Sequence, residues 1–254
     1  MATAQNAEGI ILRKFYLRET SYILVVFTKE FGKIRGVVKG ARDPYPQFAG
    51  NFEIFARCQL LFYKKKKSTM DLITRCEALD FFLPVRKDIE RLTYANYFIE
   101  LIDVVTGDHD VNEELYAALL ESLKLLATEA SAKRVSRIFE LKLLKAIGLT
   151  PNLEACTGCG SPVSGNFYFS LKDGGIKCTA CAQAGAERLK ASLGAINFMK
   201  KVIENPILKT ANIKVSKDVG KETERILSGL IKFHIGRQMK SLKFLKDLEK
   251  AGIA

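Results

Sequence analysis

Residues 21–40 read SYILVVFTKEFGKIRGVVKG, and their pattern decides the fold. Ser21 to Thr28 form a β-branched and aromatic run too apolar for a strand with one wet face, whereas Lys33 to Gly40 alternate in polarity. Between them Lys29-Glu30-Phe31-Gly32 predicts a hairpin turn closing on Gly32. Working outward, Gly9 to Leu17 supply a strand before this hairpin. Asn51 to Tyr63 and Thr69 to Leu79 supply two after it, with the lysine run Lys64 to Lys67 turning between them. Five strands in roughly 75 residues match a small closed barrel, with the OB-fold as the leading candidate. Cys58 continues the series Phe52, Ile54, Ala56, Leu60, Phe62, and Cys76 continues Met70, Leu72, Thr74. Both cysteines are expected inside the barrel as small apolar fillers.

After Pro84 the apolar period lengthens to that of a helix. Leu92, Ala95, Phe98, Ile99, Ile102 and Val105 make one stripe; Val111, Leu115, Leu119, Ser122 and Leu126 make a second, opened by a capping-box pattern of Asp110 and Glu113. A third helix over about Lys133–Ile147 stops at Gly148-Leu149-Thr150-Pro151. Helical pattern returns over Leu189–Ile203, again through Val219, Thr223, Ile226, Leu230, Ile231 and His234, and finally through Met239, Leu242, Leu245 and Leu248. The chain therefore reads as α+β: a five-stranded OB-fold barrel over residues 1–80, then a helical domain over 81–254 interrupted by a four-cysteine insert at about 153–184.

That insert holds Cys156-x-x-Cys159 and Cys178-x-x-Cys181, a spacing suited to one four-thiolate structural zinc per chain. Gly158 and Gly160 suit a tight knuckle, and the segment between the pairs predicts a hairpin turning at Asp173-Gly174-Gly175. Four thiolates fill a tetrahedral ion and leave no place for water or substrate, so the expected role is a staple. A redox dithiol would belong beside a βαβ pattern, which is missing here; iron-sulfur ligation by the same four thiolates is the other alternative.

Charge points to a polyanionic partner, because 40 Lys and Arg face 28 Asp and Glu, a net charge of +12. The surplus sits at the ends: residues 1–80 carry 14 basic and 8 acidic groups, and residues 151–254 carry 17 and 9. No apolar run approaches the roughly 20 residues of a membrane span, and MATAQNAEGI has no secretory character, so a cytoplasmic, disulfide-free protein is expected. Enzyme chemistry is not expected. The two histidines, His109 among acids and His234 on an apolar stripe, read as a solvated helix start and a packed side chain, and nucleotide and nucleophile motifs are missing.

Within Lys33–Pro44, a period of two places Lys33, Arg35, Val37 and Lys39 on one outward face, and Arg42 extends the stripe. Cations that follow phosphates on a small barrel, with aromatics near enough to stack on bases, suit single-stranded nucleic acid. The stretch EGIILRKFYLRETSYILVVFTKEFGKIRGVVKGARD, above all VFTKEFGK and KGAR, resembles the opening of the RecO family of bacterial recombination mediators. FHIGRQMKSLKFL is similar to that family's ending, and many members carry a four-cysteine insert between.

The resemblance implies binding to single- and double-stranded DNA, annealing of complementary strands, and partnership with RecR and with the acidic tail of the single-stranded DNA-binding protein (SSB). It further implies help in loading RecA, with RecF in the same process, and no membrane or small-molecule substrate. An acidic peptide with a hydrophobic end needs a cation and a pocket; Arg237, Lys240 and Lys243, the first two inside HIGRQMKS, are candidates to flank one. The chain departs from the family after KGAR, where more basic residues are usual and Asp43-Pro44-Tyr45-Pro46-Gln47-Phe48 stands instead. Either a weaker DNA contact or stacking by Tyr45 and Phe48 follows. The rival readings are an RNA-binding protein of translation or ribosome assembly and a metal-dependent nuclease using the acids near His109.

Overall fold

The structure, a computed structural model, describes residues 3–41, 52–65, 70–129, 131–162, 167–182 and 189–251. The chain forms two compact units, Met1–Thr128 with Met239–Ala254, and Glu129–Gln238. Strand gives way to helix after residue 80, but the first compact unit runs on to Thr128.

In the first unit, β1 (Ala4–Leu17), β2 (Ser21–Thr28), β3 (Gly32–Val38), β4 (Arg57–Tyr63) and β5 (Asp71–Asp80) close into a barrel of order β1-β2-β3-β5-β4. All neighbours are antiparallel except β3 and β5, the OB-type arrangement. The apolar run of β2 is explained by burial on both faces. Leu24 and Val26 join the barrel core, while Phe27 on the other face packs against Tyr116 with ring centroids 6.0 Å apart. The β2–β3 turn closes as expected on Gly32, whose φ of 63° is left-handed; a Cβ there would stand 2.3 Å from the Asp110 carbonyl oxygen. Cys58 and Cys76 lie in the core. The alternation predicted for β5 fails at Thr74, because a bulge opposite Leu61 and Phe62 turns Asp71 and Ile73 inward instead of Leu72, and restores Cys76 to the inside.

Helix α1 (Leu83–Arg86) leads into α2 (Ile89–Val105), capped by Asp88, and α3 (Glu113–Thr128) follows. The cap of α3 is Asn112, whose Oδ1 accepts from Leu115 N at 2.8 Å, and not the expected Asp110. Val111 consequently lies outside the stripe and is exposed. The last helix, α8 (Lys240–Lys250), packs on α2. Glu100 of α2 accepts hydrogen bonds from the backbone N–H of Lys240 and Ser241 at 2.9 and 3.0 Å, satisfying donors that a helix start leaves open.

The second unit contains α4 (Ala132–Ala146), a small sheet of β6 (Phe167–Ser170), β7 (Gly175–Cys178) and β8 (Leu189–Ala191) in the order β7-β6-β8, then α5 (Leu193–Glu204), α6 (Ile207–Thr210) and α7 (Lys217–Ile235). Leu189–Ala191, expected to begin a helix, is a strand on β6; Ser192 starts α5 by accepting from Ala195 N. The hairpin expected to turn at Asp173-Gly174-Gly175 is present, with Gly175 already paired to Ser170 as the first residue of β7. His234, expected to be packed, is exposed in the last turn of α7 with Phe233 edge-on at 5.3 Å. No helix among the described residues is long and apolar enough to cross a membrane.

The barrel holds α2 through a buried ammonium. Lys33 Nζ donates to the Thr106 carbonyl at 2.6 Å, the Asp103 carbonyl at 2.8 Å and Asp103 Oδ1 at 3.4 Å, which occupies all three of its N–H groups. Removing it strands the Asp103 and Thr106 carbonyls and leaves the Asp103 carboxylate with Arg13 alone, a defect of about 3 kcal/mol. Lys33→Met is therefore expected to lower the urea midpoint of this unit strongly, whereas Lys39→Met leaves it in place. Equal midpoints for the two variants would contradict this role.

Candidate nucleic-acid face and metal centre

The structure divides the cationic stripe expected on β3. Lys33 is a correction: it is only 5% exposed and points under the end of α2, because the Gly107–Asp110 loop lays a bridge along β3 there, with His109 N donating to the Lys33 carbonyl at 2.8 Å. Arg35 and Lys39 are exposed on the outer face, and Arg35 Nε meets the Asp108 carboxylate at 3.3 Å. Arg42 and the Asp43–Phe48 departure lie outside the described residues.

The sheet register shows which groups join Arg35 and Lys39. Arg13 pairs with Val25, which pairs with Arg35; Phe15 pairs with Ile23, which pairs with Val37. These rows share the face opposite Leu24 and Val26, so Arg13 and Phe15 stand on the same outer surface as the β3 cations. Arg13 also forms an ion pair with Asp103. The opposite face of the same hairpin carries Tyr16 and Tyr22, ring centroids 5.5 Å apart, with Lys14 Nζ 5.5 Å from the Tyr22 centroid. Neither Arg13 nor Phe15 was singled out from the sequence. The signal was present in Arg13-Lys14-Phe15-Tyr16, where cation and aromatic alternate on each face of a strand.

The four insert cysteines converge. Their sulfurs all lie within 4.8 Å of one another, and no other group of three or more metal-binding side chains occurs among the described residues. The acids around His109, considered above for a nuclease, therefore form no such group, and His109 itself sits exposed at φ 61°. Backbone hydrogen bonds build the knuckles: Gly160 N donates to the Cys156 carbonyl, Thr157 N to Ile176, and Cys181 N to Cys178. Gly158 admits the second pair, since a Cβ there would approach Cys181 Cβ to 2.9 Å.

Four sulfurs about 2.3 Å from a tetrahedral zinc stand about 3.8 Å apart, and Cys159 and Cys178 show a separation of 3.8 Å. The electrostatics also suit a cation. Desolvation raises the Cys156 thiol, but N–H donors from Cys178, Cys159 and Gly158 together bring it down to about 6. Cys159 is lowered chiefly by Ser161, and Cys181 is pushed up to about 12 by Cys159 and the other two thiols. Thiolates this close repel one another, and a divalent ion relieves that repulsion.

Arg237, Lys240 and Lys243 are all exposed. Lys240 and Lys243 stand on α8, next to the half-exposed Phe244, and Arg237 closely follows α7 in the other compact unit.

Comparison with known proteins matches both parts of the chain. Residues 1–82 fit the family model for the recombination protein O N terminus, and residues 86–243 fit the one for its C terminus. The DNA repair protein RecO of Symbiobacterium thermophilum is 32% identical over 250 residues, covering 97% of this chain and 98% of that relative. That of Pelotomaculum thermopropionicum is 29% identical over 246 residues, covering 97% and 95%.

The thiol cluster makes a direct prediction. Purified chain should carry one tightly held thiophilic metal ion, and a chelator or Cys156→Ser should lower the melting temperature of the 129–238 unit. Protons compete for thiolates, so metal should be retained at neutral pH and released on acidification, at a pH below the metal-free Cys156 value of about 6 because the proton must displace a bound ion. Metal analysis across pH that finds no ion at neutral pH, or no acid release, would contradict the site.

Proposed function

The chain belongs to the RecO family of DNA repair proteins, and on that premise we propose that it is a non-enzymatic recombination mediator. It binds single- and double-stranded DNA, anneals complementary strands and, with RecR, helps load RecA onto SSB-coated DNA in a bacterial cytoplasm, in the process that RecF serves. The observation that carries this reading is the pair of exposed cations, Arg35 and Lys39, on the outer face of an OB-type barrel. Annealing requires two polyanions to approach, and bound cations lower their repulsion without nucleotide hydrolysis. Zinc suits the four thiols, held by Cys156, Cys159, Cys178 and Cys181; when bound it supplies a fixed crosslink between the two knuckles. Filled in this way it leaves no coordination position for a reacting water, which supports a structural role.

A cavity of about 430 Å³ in the second unit supports a peptide partner. Lys133 and Arg134 of α4 and Lys217 and Lys221 of α7 line it together with Phe198 and Val215, as do the capping serines Ser131 and Ser216; the one acid in the lining, Glu224, is paired with Arg137. Cations around an apolar floor, beside two positive helix ends, suit the acidic and hydrophobic-ended SSB tail. Arg237, Lys240 and Lys243 do not line this cavity, and the tail is assigned to the cavity instead of to them.

Charge reversal at Arg35 and Lys39 should weaken single-strand binding and reduce the slope of log affinity against log salt by about 0.7 for each phosphate no longer neutralised. Binding titrations at several salt concentrations that show neither change would remove the DNA site from this face. For the peptide, Lys133→Glu with Lys221→Glu should weaken binding of a fluorescent SSB-tail peptide at least tenfold, while Lys240→Glu with Lys243→Glu leaves it unchanged. The reverse order would return the site to α8.

A further inference from the structure

We infer that the outer face of β1, β2 and β3 selects single strands by stacking an unpaired base on Phe15. The inference rests on the DNA reading above and names the strand state that this face takes.

Past the bulge between Ile11 and Arg13, side chains from three strands line up in rows. Arg13, Val25 and Arg35 form one, and Phe15, Ile23 and Val37 the next; Lys39 follows two residues beyond Val37 on the same strand face. With neighbouring strands about 4.8 Å apart, the face is roughly 10 Å across, enough for one extended strand. Phe15 is 46% exposed, although it sits in a regular, paired part of the sheet. Ile23 and Val37 beside it are half-buried, so an apolar strip runs across the face with cations on both sides.

Chemistry narrows the occupant. Protein interfaces favour an uncharged centre with a polar rim over a wide area, whereas this strip is one side chain wide between cations. Phosphates need those cations, and a base needs a flat apolar surface. Phenylalanine has no hydrogen-bonding group, so it cannot read base edges and contributes only through its ring face and edge. In a duplex the base faces are already stacked on one another and cannot reach it; an unpaired base can. Arg13 and Arg35 each already meet a carboxylate, Asp103 and Asp108, at the end near α2. These acids offset part of the arginines' charge, so phosphate contacts should be weaker at Arg35 than at Lys39, and the strand should run past Phe15 towards Lys39.

Tyr16, 72% exposed on the opposite face of the hairpin, provides a comparison. Its partner Tyr22 contacts Phe52 at 5.8 Å between centroids and packs on the barrel core, so Tyr16 is tied through Tyr22 to the core side of the hairpin.

The chain has no tryptophan, which makes a single introduced indole a clean reporter. Full-length Phe15→Trp, titrated with an unlabelled thymidine oligonucleotide, should bind as tightly as the parent and lose emission; Tyr16→Trp should bind equally and change little. Phe15→Ala should lower single-strand affinity about tenfold while leaving duplex affinity and the salt slope unchanged, since stacking releases no counterions. Urea midpoints equal to the parent's keep the comparison on binding rather than folding. Quenching at Tyr16→Trp but not Phe15→Trp, or equal loss of single-strand and duplex affinity in Phe15→Ala, would overturn the inference. Weakening by charge reversal at Lys39 with no effect of Phe15→Ala would overturn stacking alone and keep the DNA face. No effect of either would remove the DNA face as well.

Discussion

The Lys33 ammonium, enclosed by the Asp103 and Thr106 carbonyls and the Asp103 carboxylate, governs the arrangement of the first unit. An unpaired charge in such a place costs several kcal/mol, so the contact exists only because every N–H finds an acceptor and because a cation is favoured at the C-terminal end of a helix. The end of α2 supplies both conditions. In return the start of β3 is fixed: Gly32 lies against Asp110, the Gly107–Asp110 loop bridges to Lys33, and Arg13 reaches the same Asp103. One strand thereby carries two kinds of cation. Lys33 holds the fold, and Arg35 and Lys39, further along, remain at the surface.

The second unit is organised by a different constraint. Its small sheet has strands of three or four residues, too short to hold a hairpin alone in water. Thr157 N donates to the Ile176 carbonyl and Ile176 N donates to the Asn152 carbonyl, which ties the first knuckle and the residues before it to β7, and the four sulfurs then converge. A metal there would serve folding, and none of the four cysteines lines the α4–α7 cavity. Shape and binding are thus assigned to separate groups in each unit.

Much of this was legible in the sequence, and the failures share a cause. The existence of five strands, the turn at Gly32, the knuckle spacing and the stop at Gly148 depend on neighbours in the chain and are legible there; the fourth strand, expected from Asn51, begins only at Arg57, because Phe55 turns with a positive φ and is itself buried. Lys33 was misread because its position on the outward face says nothing about a helix that arrives seventy residues later to cover it. The Thr74 bulge broke an alternation that only pairing with β4 could reveal. Leu189–Ala191 is apolar at both helical and extended spacing, and β6 decided between them. Phe15 was passed over for a related reason: its exposure depends on the absence of a covering helix, and its cationic neighbours come from β3 rather than from β1.

On the proposed reading this barrel face brings nucleic-acid strands together without chemistry. The most direct measurement is the annealing rate of two complementary oligonucleotides carrying donor and acceptor dyes, followed by energy transfer with no nucleotide present. The chain should accelerate annealing above the spontaneous rate, added salt should suppress the effect, and both strands should be recovered intact. No acceleration at low salt, or cleavage of either strand, would contradict that reading.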